Sequence, residues 1–132
     1  MPINENRPFR AVSISVLTVS DTRTQADDRS GDTLVERLTA AGHNLADRAI
    51  VKDDADAIEA KLRVWIKDPG IDCVITTGGT GVTGRDVTPE ALDRVCDKKI
   101  AGYGELIRWI RFQKIGTSTI QSRADAGVAS GT

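Results

Sequence analysis

The sequence predicts an α/β fold with a mostly parallel β-sheet. Segments rich in β-branched residues alternate along the chain with segments of helical periodicity, the order expected when helices connect parallel strands. Residues 71–77, IDCVITT, form an almost continuous apolar run, which is typical of a parallel strand covered on both faces. We therefore expect this third strand to be central and the most buried, with right-handed crossovers between strands.

The first strand and helix occupy the region before residue 43. Residues 11–20, AVSISVLTVS, are rich in β-branched residues and predict a buried strand. Ser30 is the expected N-cap of the following helix, and Gly42 its C′ residue. The apolar positions at helical spacing are Leu34, Leu38 and Ala41.

A second strand and an amphipathic helix follow. Residues 45–53 predict the strand, and residues 54–68 predict the helix. Asp56 and Glu59 are the expected capping pair, and Pro69-Gly70 ends the helix. The predicted buried face consists of Ile58, Leu62, Trp65 and Ile66.

Two further helices are predicted after the third strand. Thr88 is the expected N-cap of a helix that has Pro89 at its first position and runs toward Cys96. Residues 102–116 show helical spacing through Leu106, Trp109 and either Ile110 or Gln113. After Gly116 the residues are small and polar, and no element is predicted.

Composition favours one domain of a soluble, cytoplasmic protein. The 132 residues carry 18 basic and 19 acidic side chains, and no basic stripe indicates nucleic-acid binding. No apolar run approaches the roughly 20 residues that cross a bilayer. Residues 1–11 lack the apolar core of a secretory signal and are interpreted as a flexible tail.

The sequence contains few residues that could perform thiol chemistry or bind zinc. Cys73 and Cys96 belong to no CxxC pair, so we interpret them as buried, reduced thiols. The single histidine, His43, follows a predicted helix end, where capping or surface exposure is expected. With one histidine in the chain, we expect no zinc site.

Three polar loops leave the carboxyl ends of the predicted strands. They begin at Ser20-Asp21, at Lys52, and at the glycine-rich segment 78–84. If the strands are parallel, all three loops lie on one edge of the sheet, where ligands of open α/β sheets bind. This edge, which we call the rim, is the predicted functional site.

The glycine-rich loop has the chemistry of an anion site. Gly78, Gly79 and Gly81 lack Cβ atoms, so their N–H groups can approach a phosphate closely. The helix beginning at Thr88 adds free N–H groups and partial positive charge. The alternative is a tight strand-to-helix turn that needs glycines for geometry alone. The loop matches neither the GxGxxG pattern nor the P-loop.

Asp86 follows this loop, and a carboxylate beside a phosphate requires a cation. Mg²⁺ held by one or two carboxylates and by substrate phosphates satisfies that requirement. Asp53 or Asp54 can supply the second carboxylate. Alternatively, Asp86 is an ordinary loop residue, and Asp53 and Asp54 complement a helix dipole.

The chemistry of these residues indicates a phosphate-containing ligand, such as a nucleotide with Mg²⁺. Because no Cys/His or Ser/His arrangement is present, phosphoryl or nucleotidyl transfer through positioning and metal stabilisation fits best. Ser20 and Asp21 can bind polar edges of the ligand. Arg85 either contacts phosphate or is a solvated surface residue, and the Ser122-Arg123 pair has no chemical interpretation from sequence.

Six segments resemble motifs of the MoaB/Mog family of molybdenum cofactor biosynthesis proteins, which is related to the gephyrin G domain. The resemblance starts at residue 12 and is most specific over residues 76–92. The segments are TVSDT, DDRSG, IVKDD, TTGGTGVTGRDVTPEAL, GYGELIR and GTSTIQSRADAG. The last segment is more similar to MoaB than to Mog.

The resemblance implies a three-layer α/β/α molybdopterin-binding fold over residues 12–132. It also implies that the family continues into a further strand and a C-terminal helix, so we expect the domain to be C-terminally incomplete. Active members adenylylate molybdopterin with Mg-ATP before metal insertion. By resemblance, Asp53 and Asp86 are catalytic and bind Mg²⁺.

The resemblance also assigns binding residues and partners. Gly78, Gly79, Thr80 and Gly81 would hold phosphate, with Thr88 at the adjoining helix start. The pterin or nucleotide pocket would be lined by Ser20, Asp21, Ser30 and Ser122. A homotrimer or homohexamer is implied, and other proteins of the cofactor pathway are further candidate partners. The alternative functions are a non-catalytic molybdopterin carrier or scaffold and a purely structural oligomer.

Overall fold

The computed structural model describes residues 2–132 and confirms the α/β prediction. Helices and strands alternate up to α3, and a small antiparallel ribbon and a long helix follow. The elements are β1 Ser13–Val19, α1 Arg29–Ala40, β2 Asn44–Val51, α2 Ala55–Lys67, β3 Cys73–Thr77, α3 Thr88–Val95, β4 Lys98–Lys99, α4 Ala101–Ile115, a 3₁₀ helix Gly116–Gln121 and β5 Gly127–Val128.

The main sheet is parallel, with strand order β2-β1-β3. The prediction that the third strand is central and most buried is therefore wrong: β1 is central, and its residues 14–19 are all buried. Among the described residues β3 pairs only with β1, and its residues are half-buried. An apolar run indicates that both faces of a strand are covered, but it does not indicate how many strands lie beside that strand.

Helices cover both faces of this sheet, so the three-layer arrangement is confirmed. On one face, α1 packs Leu38 against Ile14 and Val16 of β1. On the other face, Leu17 of β1 packs against α2 and α3, with Ile58 among the core residues. The predicted buried face of α2 is confirmed: its buried residues are Ile58, Leu62 and Trp65, and Ile66 packs partly against them.

The N-cap of α1 is Asp28 and not the predicted Ser30. The Asp28 side chain accepts a hydrogen bond from the Gly31 N–H at 3.0 Å, whereas Ser30 lies inside the first turn. Both residue types cap helices well. Asp28 takes the position because its carboxylate is also bound by the Thr18 hydroxyl and by Arg48.

The N-cap residues of α2 and α3 also differ from the predicted ones. Asp54 caps α2 by accepting from the Asp56 N–H, while Asp56 and Glu59 bind Arg94 of α3 and do not cap a helix. For α3 the N-cap is Val87 without a side-chain bond, and Thr88 is the first helical residue. Ion pairs and loop contacts between distant residues therefore determine which residue stands at the N-cap of each helix.

The predicted end of α1 at Gly42 is confirmed. Gly42 has φ +91°, and its N–H donates to the Thr39 carbonyl. The next N–H, of His43, donates to the Leu38 carbonyl, which completes a Schellman motif. The His43 Nδ1 accepts a hydrogen bond from the Val12 N–H, so this ring connects the helix end to the start of β1.

The predicted helix over residues 102–116 is confirmed as α4, but its apolar positions Leu106, Trp109 and Ile110 are exposed. Beyond it, the chain forms the 3₁₀ helix and returns as β5, which pairs antiparallel with β4. The sequence predicted neither element.

Residues 2–12 contain no helix or strand, and Phe9 packs its ring 5.2 Å from the His43 ring. The two thiols, Cys73 and Cys96, are free and partly buried, and burial raises the pKa of each. Within residues 2–132, every helix is too short or too polar to cross a membrane.

Candidate active site at the carboxyl edge of the sheet

The three polar loops predicted to share one edge of the sheet do meet there. The Ser20 N–H donates to the Val51 carbonyl at 2.9 Å, which joins the ends of β1 and β2. Asp21 connects the loops directly: its carboxylate accepts from the Asp53 N–H and from the Arg85 guanidinium. The rim is therefore a single connected surface.

Asp21 and Arg85 form a bidentate ion pair across the rim. The guanidinium donates to both carboxylate oxygens at 2.7–3.0 Å. The hydrogen bond from Arg85 holds the pKa of Asp21 below its usual range, and the same bond raises the pKa of Arg85. Arg85 is thus held by a carboxylate, which neither of its two interpretations from sequence anticipated.

The glycine loop makes two close approaches that exclude side chains. Gly78 has φ +98° and Gly79 has φ +69°, both in the region that glycine adopts without strain. A Cβ atom at Gly78 would clash with the Val19 carbonyl, and one at Gly79 with the Thr88 hydroxyl. Both glycines are therefore required by the geometry of the turn itself.

Thr88 holds the loop in this conformation from the start of α3. It is fully buried, its hydroxyl donates to the Gly78 carbonyl at 2.8 Å, and its N–H donates to the Gly79 carbonyl at 3.1 Å. The Thr88 side chain is therefore directed at the protein's own backbone. Its place in the site is that of a residue that positions the glycine loop.

Arg123 holds the other side of the loop. Its backbone N–H donates to the Thr80 carbonyl at 2.8 Å, and its guanidinium donates to the carbonyls of Gly81 and Asp86 at 2.7 and 2.5 Å. It also forms an ion pair with Glu90 of α3. These contacts use the loop's carbonyls, whereas the N–H groups of Gly79 and Thr80 have no hydrogen-bond partner within residues 2–132.

The Asp86 carboxylate is fixed and readily ionised. One of its oxygens accepts from the Thr83 hydroxyl at 2.7 Å and from the Thr83 N–H at 3.0 Å. These bonds hold its pKa below the usual value. A Cβ atom at Gly81 would lie 2.6 Å from this carboxylate, so a glycine at position 81 lets Asp86 approach the loop.

Asp53 has the opposite electrostatic environment. Burial raises its pKa, and the nearby Asp21 carboxylate raises it further, while Arg85 opposes the rise. Its Oδ1 lies close to the glycine loop, 3.2 Å from where a Cβ of Gly79 would stand. The rim therefore pairs one carboxylate that ionises easily with one whose charge is poorly compensated.

These oxygens suit a hard divalent cation, but the protein alone does not complete its coordination. Within residues 2–132, no three His, Cys, Asp or Glu side chains come together closely enough to hold a metal. Mg²⁺ commonly takes one or two carboxylates and completes its shell with water and substrate phosphate. The donor set at Asp53 and Asp86 fits that pattern.

The three predicted serines lie at different distances from the rim. Ser20 is on it, and its Oγ accepts from the N–H groups of Thr22 and Arg23. Ser30 is in the first turn of α1, where its Oγ accepts from the Arg23 guanidinium. Ser122 precedes Arg123, and its Oγ accepts from Arg111 of α4.

An open cavity of about 490 Å³ begins at the rim. Ser20 and Asp21 line one end, and the basic side chains of Arg23, Arg48 and Lys52 line its wall. A cavity of this size accommodates part of a nucleotide-sized ligand. Arg48 is already paired with Asp28 and Asp32, so Arg23 and Lys52 are the basic side chains of this wall that could bind a phosphate group.

A comparison with family models identifies the domain. Residues 15–131 match the model described as "Probable molybdopterin binding domain". The chain belongs to this family. The match begins at the third residue of β1 and includes helices α1 to α4 and the whole rim, so the site described above lies entirely within the family's domain.

Curated relatives of this molybdopterin-binding domain carry the name "Molybdenum cofactor biosynthesis protein B". The one from Escherichia coli K12 is 46% identical over 124 residues, which cover 94% of this chain and 73% of the relative. The one from Bacillus subtilis is 42% identical over 118 residues, covering 89% and 69%.

Solved structures place the domain in the MoaB/Mog fold. A crystal structure of a molybdenum cofactor biosynthesis protein B superposes with a TM-score of 0.89 at 42% identity, covering 93% of this chain and 77% of that one. The tungsten cofactor synthesizing protein MoaB from Pyrococcus furiosus superposes with a TM-score of 0.82 at 34% identity, covering 92% and 76%. The fold predicted by resemblance is confirmed.

Two features of this molybdopterin-binding domain's site escaped sequence reasoning. Arg123 belongs to the quoted segment GTSTIQSRADAG, yet the order of residues does not show that it reaches back to Gly81 and Asp86. The Asp21–Arg85 pair joins residues 64 positions apart. In each case the missing information was the distance between loops, which only the folded sheet defines.

Proposed function

We propose that this domain adenylylates molybdopterin with Mg-ATP, as a step of molybdenum cofactor biosynthesis that precedes metal insertion. The observation that carries the proposal is the rim itself. There the N–H groups of Gly79 and Thr80, which bind nothing else among residues 2–132, lie beside the carboxylates of Asp53 and Asp86. Amides for a phosphate and oxygens for a cation are what a nucleotidyl transfer site needs.

In the proposed reaction an oxygen of molybdopterin's terminal phosphate attacks the α-phosphorus of ATP. A new P–O bond forms, the bond between the α-phosphorus and its bridging oxygen to the β-phosphate breaks, and pyrophosphate leaves with those electrons. The chain's residues act by positioning and by stabilising charge. Mg²⁺, when bound, would neutralise charge on the reacting phosphates.

Each rim residue has a proposed role. The N–H groups of the loop from Gly78 to Gly81, including that of Thr80, hold phosphate oxygens, and Asp53 and Asp86 hold Mg²⁺. The uncompensated charge at Asp53 supports this role, because a bound cation would offset the repulsion from Asp21. The remaining pocket residues in the proposal are Ser20, Asp21, Ser30 and Ser122, with Thr88 positioning the loop.

The test mixes the full chain with molybdopterin, ATP and Mg²⁺ and follows adenylylated molybdopterin and released pyrophosphate. We expect product from the unaltered chain and a rate at least about 100-fold lower for Asp86→Asn. Asp68→Asn is the matched control, because Asp68 ends α2, far along the helix from its start beside the rim. The control should retain the full rate.

Other outcomes separate the alternatives. Molybdopterin binding without ATP dependence or turnover would support the non-catalytic carrier or scaffold instead. An absence of ligand affinity in calorimetry would support the structural oligomer. An unchanged rate for Asp86→Asn would remove that residue from catalysis while leaving the activity in place.

We also propose an oligomeric state, a cellular compartment and partners for this domain. We expect a homotrimer or homohexamer acting in the cytoplasm, with other proteins of the molybdenum cofactor pathway supplying the substrate or taking the product. Light scattering of the purified chain and cell fractionation would check these two expectations separately.

A further inference from the structure

The ion pair between Asp21 and Arg85 leaves hydrogen-bond donors of Arg85 unused. Arg85 donates from Nε and Nη2 to the Asp21 carboxylate at 2.7–3.0 Å. Its other terminal nitrogen, Nη1, has no hydrogen-bond partner within residues 2–132. A guanidinium carries five N–H donors in a planar fork. The edge of Arg85 that carries Nη1 can therefore bind a second oxygen-rich group while Asp21 holds the first edge.

The Asp21 carboxylate, by contrast, is fully occupied by the protein. Oδ1 accepts from the Asp53 N–H at 3.1 Å and from Nη2 of Arg85 at 2.7 Å. Oδ2 accepts from Nε and Nη2 of Arg85 at 3.0 and 2.8 Å. A carboxylate has about four acceptor sites, and these contacts occupy them. Asp21 therefore contributes to the site by fixing Arg85 and does not bind the ligand itself.

Arg85 is fixed in place although it faces solvent. Its side chain is 67% exposed, and an exposed arginine normally loses rotamer freedom when a ligand orders it. Because Asp21 orders the side chain before any ligand arrives, a ligand that binds Nη1 loses less of that entropy. Exposed ion pairs contribute little to stability, so stability alone does not account for this arrangement.

The charge of Arg85 acts at the same part of the rim as the glycine loop. Burial raises the pKa of Asp53, and the charge of Arg85 opposes this rise, so the two side chains are close enough to interact. The Oδ1 of Asp53 lies 3.2 Å from where a Cβ of Gly79 would stand. Arg85 therefore supplies positive charge where the carboxylates of the rim would otherwise repel a phosphate.

Arg123, the other arginine at the glycine loop, shows the opposite pattern. Its Nε, Nη1 and Nη2 each donate to an oxygen of the protein. No nitrogen of its guanidinium remains for a ligand. Arg123 therefore holds the loop, whereas Arg85 has one exposed edge free for a group that the protein does not contain.

We infer that Arg85 binds a phosphate group of the substrates through Nη1, and that Asp21 is the positioning residue that orients Arg85 toward it. The planar N–H groups of a guanidinium match the oxygens of a phosphate. The inference rests on the proposed adenylylation, in which two phosphate-bearing substrates, ATP and molybdopterin, meet at the rim. Phosphate is the chemistry that the two substrates share, and separate binding measurements distinguish them.

The test measures the affinities of the full chain for Mg-ATP and for molybdopterin by calorimetry, one ligand at a time, so that no turnover occurs. We expect Arg85→Ala to weaken the binding of at least one ligand about tenfold or more, because a charged hydrogen bond to phosphate is lost. The affected ligand is the one whose phosphate Arg85 holds. Arg85→Lys should not restore full affinity, because an ammonium group lacks the second planar edge.

The matched control is Arg37→Ala, which removes the same side chain from an exposed position on α1 and should bind both ligands as the unaltered chain does. Circular dichroism and a cooperative thermal transition check that the variants fold. Both should persist, because the Arg85 side chain is largely exposed.

Asp21→Asn tests the positioning role. In the chain that has Arg85, this variant should weaken binding of the same ligand, because an asparagine amide has only one oxygen to accept the guanidinium's donors. In the Arg85→Ala background it should not weaken binding, since there the Asp21 carboxylate only repels phosphate. An equal loss in both backgrounds would contradict the positioning role and assign the effect to the bond with the Asp53 N–H.

Failure of this inference differs from failure of the proposed function. Affinities that Arg85→Ala leaves unchanged for both ligands would overturn the inference, even if the unaltered chain forms adenylylated molybdopterin. Binding that depends on Arg85 in a chain that forms no product would support the inference and contradict the adenylylation. An unaltered chain that binds neither ligand would overturn both.

Discussion

At the scale of single residues, the rim depends on glycines and carboxylates that have distinct reasons for their positions. Gly78 and Gly79 are required by their positive φ and by close contacts, and Gly81 makes room for Asp86. A Cβ atom at Gly84, in the same loop, would stand in open space. The anion-site and tight-turn interpretations of the loop are therefore compatible, since the geometry that needs glycine also leaves two N–H groups without a partner among residues 2–132.

Substituting Gly79 should destabilise the chain more than substituting Gly84. Gly79→Ala introduces strain at φ +69° and a clash with the Thr88 hydroxyl, for which we expect a loss of about 1–3 kcal/mol in the free energy of unfolding. Gly84→Ala should be within about 1 kcal/mol of the original chain. Urea denaturation measures both, and equal losses would contradict the structural role assigned to Gly79.

Asp28 is the residue whose charge should matter most for acid stability. Burial alone would raise its pKa, but the hydrogen bonds from Thr18, Gly31 and Arg48 outweigh burial and lower it. Because the folded pKa is lowered, the carboxylate stabilises the fold above its ordinary pKa of 3.8, and this contribution is lost as pH falls through the folded pKa.

We therefore expect Asp28→Asn to reduce the free energy of unfolding by about 1–3 kcal/mol at pH 7. The difference from the unaltered chain should shrink only below about pH 4. Denaturation curves between about pH 2.5 and pH 7 check this, since a constant difference over that range would rule out the charge as the cause. Asp27→Asn, next to it but exposed, is the matched control and should reduce the free energy of unfolding at pH 7 less than Asp28→Asn does.

At the scale of secondary-structure elements, tertiary contacts determine which of several suitable side chains caps a helix. Helix α1 is capped by Asp28 because Arg48 of β2 binds that carboxylate, and Ser30 remains inside the helix. Helix α2 is capped by Asp54, which leaves Asp56 and Glu59 free to bind Arg94. The sequence predicted where each helix begins to within two residues, but not which side chain caps it.

The connection between the chain segment after the 3₁₀ helix and the glycine loop depends on Arg123. Its side chain donates to two loop carbonyls and forms an ion pair with Glu90, so Arg123→Ala should loosen residues 79–86. Charged hydrogen bonds of this kind contribute about 1.5–3 kcal/mol each, so we expect at least a tenfold loss of ATP affinity. Hydrogen exchange of the loop amides and calorimetry with Mg-ATP measure the two effects.

The matched control for Arg123→Ala is Arg37→Ala, which removes the same side chain from an exposed position on α1. It should change neither exchange nor affinity. If Arg123→Ala left loop exchange unchanged, the loop would be held by Thr88 alone, and Arg123 would have no positioning role.

At the scale of the whole molecule, the parallel sheet brings three distant loops together, and ligand binding should be measurable as stability. If Mg-ATP binds at the rim, a ligand concentration about 100 times its dissociation constant raises the free energy of unfolding by about 2.7 kcal/mol. We expect this rise with Mg²⁺ present and its loss when the ion is chelated.

Asp86→Asn provides the control for that measurement. The variant should remain folded, because the amide oxygen of the substituted side chain can still accept the hydrogen bonds from Thr83. It should lose most of the Mg²⁺-dependent rise. An equal rise in the variant would show that the nucleotide binds away from Asp86. A rise independent of Mg²⁺ would contradict the role of both carboxylates as metal ligands.

The sequence by itself determined the class of fold, the three-loop rim and the identity of its glycines and aspartates. These features could be predicted because each depends on a pattern that spans only a few residues. The patterns are β-branched runs, helical spacing, and Gly or Asp at the ends of strands. Only the tertiary structure decided that β1 and not β3 is central, that Arg85 binds Asp21, that Arg123 holds the glycine loop, and that α4 points its apolar side chains outward. Each of these depends on contacts between residues far apart in the chain, and periodicity carries no information about which distant groups the fold brings within hydrogen-bonding distance.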